Sequence, residues 1–589
     1  MPRRAVLVAI ALSAILPAQT KFFPLRDIQP GMKGTGKTVF YADRVDEFQV
    51  EILGVMENVG PKQSLILARL SGGPLDRAGV MQGMSGSPVY LNGKLAGAVA
   101  MAFPYAKEPI AGIRPIEEML AVADSATARA PRRPTQRASL FDRDLTRMLP
   151  GPAEAAVGDS KLVDIATPIS FSGFTRATIE HFAPQLRALG LEPRHGLSGG
   201  GLVPDRMGDP KRIQPGSMVS VQLLTGDMSV GADGTITHID GNRVYAFGHR
   251  FLAIGSTDLP FARAEVLTLL PSVATSFKIS TARELMGVIS QDRSTAVFGE
   301  LGRRAALVPL TIAVKRASGK VAAYRMQMVN DRLLSPFLVQ MAVFSAIDAT
   351  ERSVGPSSYA VRGEIEFSGG TAPLKLDNMY AGDSGSATQV SLSTAIPLAY
   401  VLQGGFDTLQ LKKVALEIES YDEKKQLQID QVSADRREVR PGETVEISVS
   451  LVGENGVELN RKVSYPVPIG APPGTVFFTV ADGATTNLAD FRQILNTTPK
   501  SPAQLVATVN QLRANTKAYV RAWRPEVAFQ LEGDDFPAPP PSVMLILAGA
   551  QSSLAGLTQS RNSKIADFEI AAGDYMITGS KTIQVEVKE

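Results

Sequence analysis

The chain has 589 residues, room for about three or four domains, and 44% of them are hydrophobic, so sizeable cores can form. A net charge of +3 supplies no overall field that calls for nucleic acid or an anionic membrane surface. There is no cysteine and there are only four histidines, which excludes disulfides, thiol catalysis and cysteine metal sites; no metal and no cofactor is expected.

The N-terminus reads as a secretory signal. Arg3 and Arg4 form a basic start, Ala5 to Leu16 an apolar stretch, and Leu16-Pro17-Ala18 a small-residue end. Cleavage after Ala18 is expected, and the apolar stretch is too short to span a bilayer. No later run is long and apolar enough, so a chain exported to the periplasm or the exterior without a membrane span is expected.

Gly31-Met-Lys-Gly-Thr-Gly-Lys-Thr38 spells a phosphate loop. That loop needs a strand before it and a helix after it. Here Val39-Phe40-Tyr41 favours a strand, so the motif reads as a glycine-rich strand entry. Further strands are expected at Phe48–Val55 and Leu65–Leu70.

Residues 83–99 carry the main signal. Ser85 lies in Gly83-Met-Ser-Gly-Ser-Pro88, a frame in which trypsin-like peptidases present a nucleophile. Small neighbours leave its hydroxyl uncovered, and the Gly83 and Ser85 amides can converge as an oxyanion hole. Two short apolar runs follow, joined by Asn92-Gly93, a strong hairpin signal. A serine turn feeding a hairpin belongs to a barrel, not to a strand-turn-helix hydrolase elbow. A helix over Ile116–Ala123 closes this part.

Residues 125–138 are Ala, Pro, Thr and Arg in character and read as a solvated linker. Without interleaved aromatics the arginines do not read as a nucleic-acid arm. From residue 160 a second strand-rich block begins. It has a helix at Ala177–Leu189, strands near 217–224, 234–239 and 243–247, and a strand pair at 306–314 and 321–329. Residues 335–346 and 387–402 read as helices. Gly382-Asp-Ser-Gly-Ser386 offers Ser384 as a second nucleophile, although the helix after it suits a polar capping turn better.

A serine needs a base. His249 ends an apolar strand at a glycine, where a rigid element can aim an imidazole. His195 lies in a Gly-rich loop, His181 on a helix, and His238 within a strand. His249 leads and His195 is next. For an acid to orient the base, Asp258 and Asp76 are the candidates, nine positions from His249 and Ser85 respectively, a spacing that is not diagnostic.

Residues 425–482 alternate cleanly, with Val445, Ile447, Val449 and Leu451 on one face, and read as an immunoglobulin-like sandwich. Residues 490–589 offer a helix at Pro502–Leu512 capped by Ser501, an extended Phe536–Pro541, and a terminal strand at Thr582–Val587. No catalytic constellation follows residue 424.

Gly79 to Val89, with Asn92-Gly-Lys-Leu-Ala-Gly-Ala-Val99 after it, resembles the serine motif of the SpoIVB sporulation peptidase family. Gly216 to His249, ending Tyr245-Ala-Phe-Gly-His, is similar to that family's histidine half, and Ser290 to Gly302 to the segment after it. The resemblance implies a chymotrypsin-like serine endopeptidase with Ser85 as nucleophile and His249 as base. Two departures stand out. In the family the histidine half comes first, whereas here Ser85 precedes His249. The family's aspartate, a little over a dozen residues before the serine, falls where this chain reads Leu70-Ser71-Gly72. A PDZ module is not evident.

The expected architecture is therefore mainly β. Residues 1–18 are a signal and 19–124 the serine-bearing half of a chymotrypsin-like double barrel, either permuted in order or with its two halves from separate copies. Residues 125–159 form a linker, 160–415 the histidine-bearing half, 416–489 the sandwich, and 490–589 a small α+β module. The expected function is regulated proteolysis of a protein substrate, with an envelope partner docked through the C-terminal modules. A catalytically inactive scaffold is the alternative.

Overall fold

A computed structural model describes residues 22–124, 139–140, 144–149, 151, 154–157, 160–195, 206–350, 355–454, 456–496, 499–531, 534–537, 539–550 and 557–589. The expected signal at 1–18 and the linker core at 125–138 lie outside them.

Six strands form the first barrel: β1 (Lys33–Tyr41), β2 (Arg44–Gly60), β3 (Gln63–Ser71), β4 (Pro88–Leu91), β5 (Lys94–Ala102) and β6 (Ile110–Pro115). Their pairing runs β4-β1-β2-β3-β6-β5, and a β4–β5 pairing closes the ring. The Gly31–Thr38 motif runs into β1, so no helix follows it and no phosphate cradle forms. Asn92 and Gly93 both have positive φ, 48° and 73°, as the two-residue turn between β4 and β5 requires. The strand interiors pack Phe48, Val50, Ile52, Ile66, Leu70 and Val89 into one core.

Two short strands, β7 (Glu154–Val157) and β8 (Ser160–Asp164), extend this sheet, with Met101 opposite Asp164. The second half therefore starts after residue 164, not at 160 as expected. It opens with β9 (Thr167–Ser172), the helix Arg176–Ala188 and β10 (Leu191–His195), which runs parallel to β9.

The second barrel is built from β11 (Met218–Gly226), β12 (Ser229–Asp240), β13 (Arg243–Ala246), β14 (Gly255–Leu270), β15 (Phe277–Asp292) and β16 (Val297–Leu301). Pairing runs β12-β13-β16-β15-β14-β11, and a β11–β12 pairing closes it. The long β14–β15 hairpin, about half the barrel wall, was not foreseen. Beyond β11 the sheet continues through Val321–Val329, Leu307–Lys315, Leu411–Tyr421, Ser357–Phe367 and Leu374–Gly382. The helices Leu334–Thr350 and Ser386–Leu402 share the same core.

After residue 425 the chain builds a β-sandwich. One sheet holds Gln426–Ala434, Thr444–Gly453, Glu458–Pro466 and Met576–Thr578; the other holds Glu438–Val439, Gly474–Asp482, Lys517–Arg524, Ser563–Ala571 and Ser580–Val587. Val445, Ile447, Val449 and Leu451 are buried as the alternation requires. Residues 490–589 are not a separate module. Their last strands complete both sheets, with Leu427 beside Ile577 in parallel pairing and Val476 opposite Val585, around one core. Local pattern marks strands but not their partners, which is why the boundary at 489 misleads. Ser501 caps Pro502–Asn510 as expected, accepting from the Gln504 amide. Pro541, expected as the end of an extended stretch, instead opens a helix, Pro541–Ala550.

The barrels are joined by a seam of hydrogen bonds at the serine turn. The Thr235 amide donates to Ser85 O (2.9 Å), Thr235 Oγ1 to Gly83 O (2.9 Å) and Thr237 Oγ1 to Gly86 O (2.7 Å). The Lys278 amide donates to Gln82 O (3.2 Å), and the Gln82 amide to Ser276 O (2.9 Å). The buried Lys278 ammonium reaches across to Thr38 Oγ1 (2.7 Å), which also accepts from Ser87 Oγ (3.0 Å). Gly86, at φ 93°, lies against the second barrel. A Cβ there would come within 2.0 Å of Thr235 O and 2.5 Å of the Phe247 nitrogen.

Gly86→Ala is thus expected to split the seam and to cost about 3 kcal/mol or more in chemical denaturation. Gly54→Ala, which has open space and an ordinary φ, serves as the control and should cost under about 1 kcal/mol. Lys278 generates a second expectation. Burial pushes its amine down from 10.5 to about 7. Between about 7 and 10.5 the unfolded chain holds a proton that the folded chain has lost, so stability rises with pH across that window. Lys278→Met should therefore gain most over wild type below pH 7, and the gain should shrink toward pH 10 in thermal melts.

Candidate active site

The serine turn is shaped by two glycines. Gly83 and Gly86 have φ of 88° and 93°, which fold the backbone back on itself before β4. Residues Met81 to Val89 are all buried. The turn's carbonyls are consumed by the second barrel, and the Gly86 amide by Val99 O (2.7 Å). Among the described residues the Gly83 and Ser85 amides have no protein acceptor, so both can serve a developing oxyanion.

His249 is thrown off the end of β13 by two consecutive residues with positive φ, Phe247 (72°) and Gly248 (71°). For Phe247, whose ring is buried over Gly234, this backbone costs roughly 1–2 kcal/mol. Its amide is held by Thr235 O (3.2 Å), the residue whose own amide binds Ser85 O. Thr235 thus links the serine turn to the histidine turn, and Gly86 touches Phe247 backbone to backbone.

Ser85 is 0% exposed and His249 2% exposed. Ser85 Oγ and His249 Nε2 are both buried without a hydrogen-bond partner. An unmade bond of this kind costs about 1–3 kcal/mol, so each of them asks for a reason. His249 Nδ1 lies 2.6 Å from Arg250 O. A carbonyl can only accept, so Nδ1 carries the hydrogen and Nε2 presents a lone pair. That is the tautomer a general base needs.

Burial holds the His249 imidazole below its ordinary value of 6.5, opposed first by the Asp164 carboxylate and then by the Arg250 carbonyl. Asp164 comes from β8, where it also lies 3.9 Å from the Arg250 guanidinium. The loop after His249 is anchored by Asp292, fully buried, which accepts from the amides of Phe251 (2.8 Å), Leu252 (2.7 Å) and Ile254 (3.2 Å). Burial raises this carboxyl to about 6, and those amides pull it back. A cavity of about 270 Å3 opens beside the turn, lined among others by Gln82, Phe103, Tyr105, Asp164, Glu192 and Ser276.

The two acids expected from spacing lie elsewhere. Asp258 binds the Arg303 guanidinium and the Ala306 amide (both 2.8 Å), and Asp76 is exposed and accepts from the Gly72 amide (3.1 Å). Proximity in sequence does not aim a side chain across a barrel. Asp164 and Asp292 were both missed; neither has a local motif, and Asp292 falls within the family-like segment Ser290–Gly302. Ser384 is exposed in the turn before Ser386–Leu402. It does not cap that helix, whose first cap is Gly385 at φ 72° with no side-chain bond. The other histidines serve packing: His181 stacks on Phe344, His238 on Tyr245, and His195 contacts Phe174 O (3.3 Å).

Neither the curated proteins nor the solved structures gave a match to the chain. The second barrel and His249 also lie outside the residues that a family model matches. Residues 24–120, the first barrel with Ser85 in it, match the family model for SpoIVB peptidase S55, and in this part the chain is similar to the SpoIVB-type serine peptidases.

Proposed function

We propose that the protein is an exported serine endopeptidase of SpoIVB type that cuts a protein substrate in regulated proteolysis. The observation that carries this reading is that Ser85 Oγ and His249 Nε2 are both buried and unbonded, on two turns that Thr235 links, with the His249 tautomer already fixed.

In this reading Ser85 Oγ attacks the scissile carbonyl and gives its proton to His249 Nε2. The Gly83 and Ser85 amides hold the oxyanion. The imidazolium then hands the proton to the leaving amine, and water releases the acyl group by the same steps in reverse. The Arg250 carbonyl orients the ring, and Asp164 offsets the positive charge that forms on it. Together they take over the work of the aspartate absent at Leu70-Ser71-Gly72. The two reacting side chains are sequestered from solvent, so a polypeptide must gain entry by a displacement near the 270 Å3 cavity. The sandwich is suited to docking an envelope partner.

A fluorophosphonate probe tests the nucleophile. Wild type and Ser384→Ala should label, Ser85→Ala should not, and His249→Ala should label at least about a hundredfold more slowly. Wild type that stays unlabelled after limited opening by mild denaturant would favour a non-catalytic scaffold. The pH profile tests the base. Only neutral His249 accepts a proton, and its value is depressed, so the acid limb of kcat/KM should fall below pH 6.5. Asp164→Asn removes the carboxylate that raises it, so the limb should move lower still while kcat drops.

A further inference from the structure

The chain runs beyond the sandwich as a three-stranded hairpin, Ala528–Leu531 flanked by Asp534–Phe536 and Leu557–Ser560. The register leads outward. Arg524 pairs with Ser563 at the edge of the sandwich, then Ala528 with Ser560, and finally Leu531 with Leu557. The helix Pro541–Ala550 lies between the outer strands in sequence and follows Asp534–Phe536, which runs back from the hairpin tip, with Phe536 opposite Phe529.

This helix reads Pro-Ser-Val-Met-Leu-Ile-Leu-Ala-Gly-Ala, with no charged residue. Proline suits its first position. None of its residues is buried; Leu545 is 76% and Ile546 69% exposed, and Val543 is exposed as well. At about 100° per residue Val543 and Ile546 lie within about 60° of each other, Leu545 lies about 100° from Ile546, and half-buried Leu547 and Met544 take the remaining side, so apolar side chains run all round the axis. An amphipathic helix that docks in a protein groove has one apolar stripe. A helix apolar all round needs a medium that surrounds it.

We infer that Pro541–Ala550 inserts into one leaflet of a lipid bilayer and seats the protein on a membrane surface. Ten residues rise about 15 Å, half of a hydrocarbon core of about 30 Å. No helix among the described residues is long and apolar enough to cross a membrane, which agrees with shallow entry. Phe536, also exposed, lies at the end of a hairpin strand just before the helix and adds apolar surface. The helix has no cation, and Glu532, Asp534 and Asp535 precede it, so the fitting surface is zwitterionic and the attraction apolar rather than electrostatic. Because no residue of the helix is buried against the rest of the molecule, changes there leave the fold intact.

The test is flotation of the full chain with phosphatidylcholine vesicles, beside the double variant Leu545→Asp/Ile546→Asp. Wild type should float, equally in low salt and in about 0.5 M salt. The variant should bind at least about tenfold less, with an unchanged thermal melt. Wild type that stays at the bottom overturns the inference, as does a variant that floats equally. Light scattering that shows a wild-type dimer, lost in the variant and without vesicle binding, assigns the helix to a second copy instead. Binding only to phosphatidylglycerol-containing vesicles, lost in salt, also overturns it.

Discussion

The structure depends on the docking of one turn, Met81–Ser87, into the wall of a barrel that it does not belong to. Carbonyls of Gln82, Gly83, Ser85 and Gly86 accept hydrogen bonds from Thr235, Thr237 and Lys278. The Gln82 amide donates to Ser276 O, but among the described residues the Gly83 and Ser85 amides are left without a protein acceptor, and the serine side chain makes no hydrogen bond. Two glycines with positive φ make this possible, because the backbone must reverse and approach another backbone too closely for a Cβ. The same contact that joins the barrels therefore builds the site.

In the proposed mechanism the base is supported by an arrangement that stands in for the acid. A triad aspartate fixes the tautomer and balances the imidazolium charge. Here the two tasks are divided. The Arg250 carbonyl fixes the tautomer, and Asp164 supplies charge from a strand that links the barrels. Asp292 holds the loop from which that carbonyl projects, by accepting from the amides of Phe251, Leu252 and Ile254. The price is strain at Phe247, held in the left-handed region where the chain leaves β13. Strain kept at such a place is common where a side chain must be aimed.

Much of this was legible locally. The Asn92-Gly93 turn, the alternation at Val445–Leu451, the Ser501 cap and the strand nature of Gly31–Thr38 all follow from short-range rules, and each holds. What failed was pairing at a distance. Asp76 and Asp258 were chosen for closeness in sequence, yet each satisfies its own neighbourhood. The terminal strands were read as a separate module because nothing in their pattern says that Leu427 will lie beside Ile577. The helix Pro541–Ala550 was missed for another reason. An apolar run among prolines has no periodicity to distinguish strand, helix or extended chain.

By itself the sequence determined that Ser85 sits on a glycine-framed turn before a hairpin, and that His249 ends a strand. Those features rest on backbone conformations that only certain residues adopt, so they survive without a fold. Only the tertiary structure decided that the two turns meet through Thr235, that a carbonyl rather than a carboxylate bonds the ring, and that Asp164 is the carboxylate whose charge acts on it. Those are relations between segments far apart in the chain, such as Met101 pairing with Asp164 and Ser85 bonding Thr235. They are set by how two closed barrels pack, and no local rule contains that information.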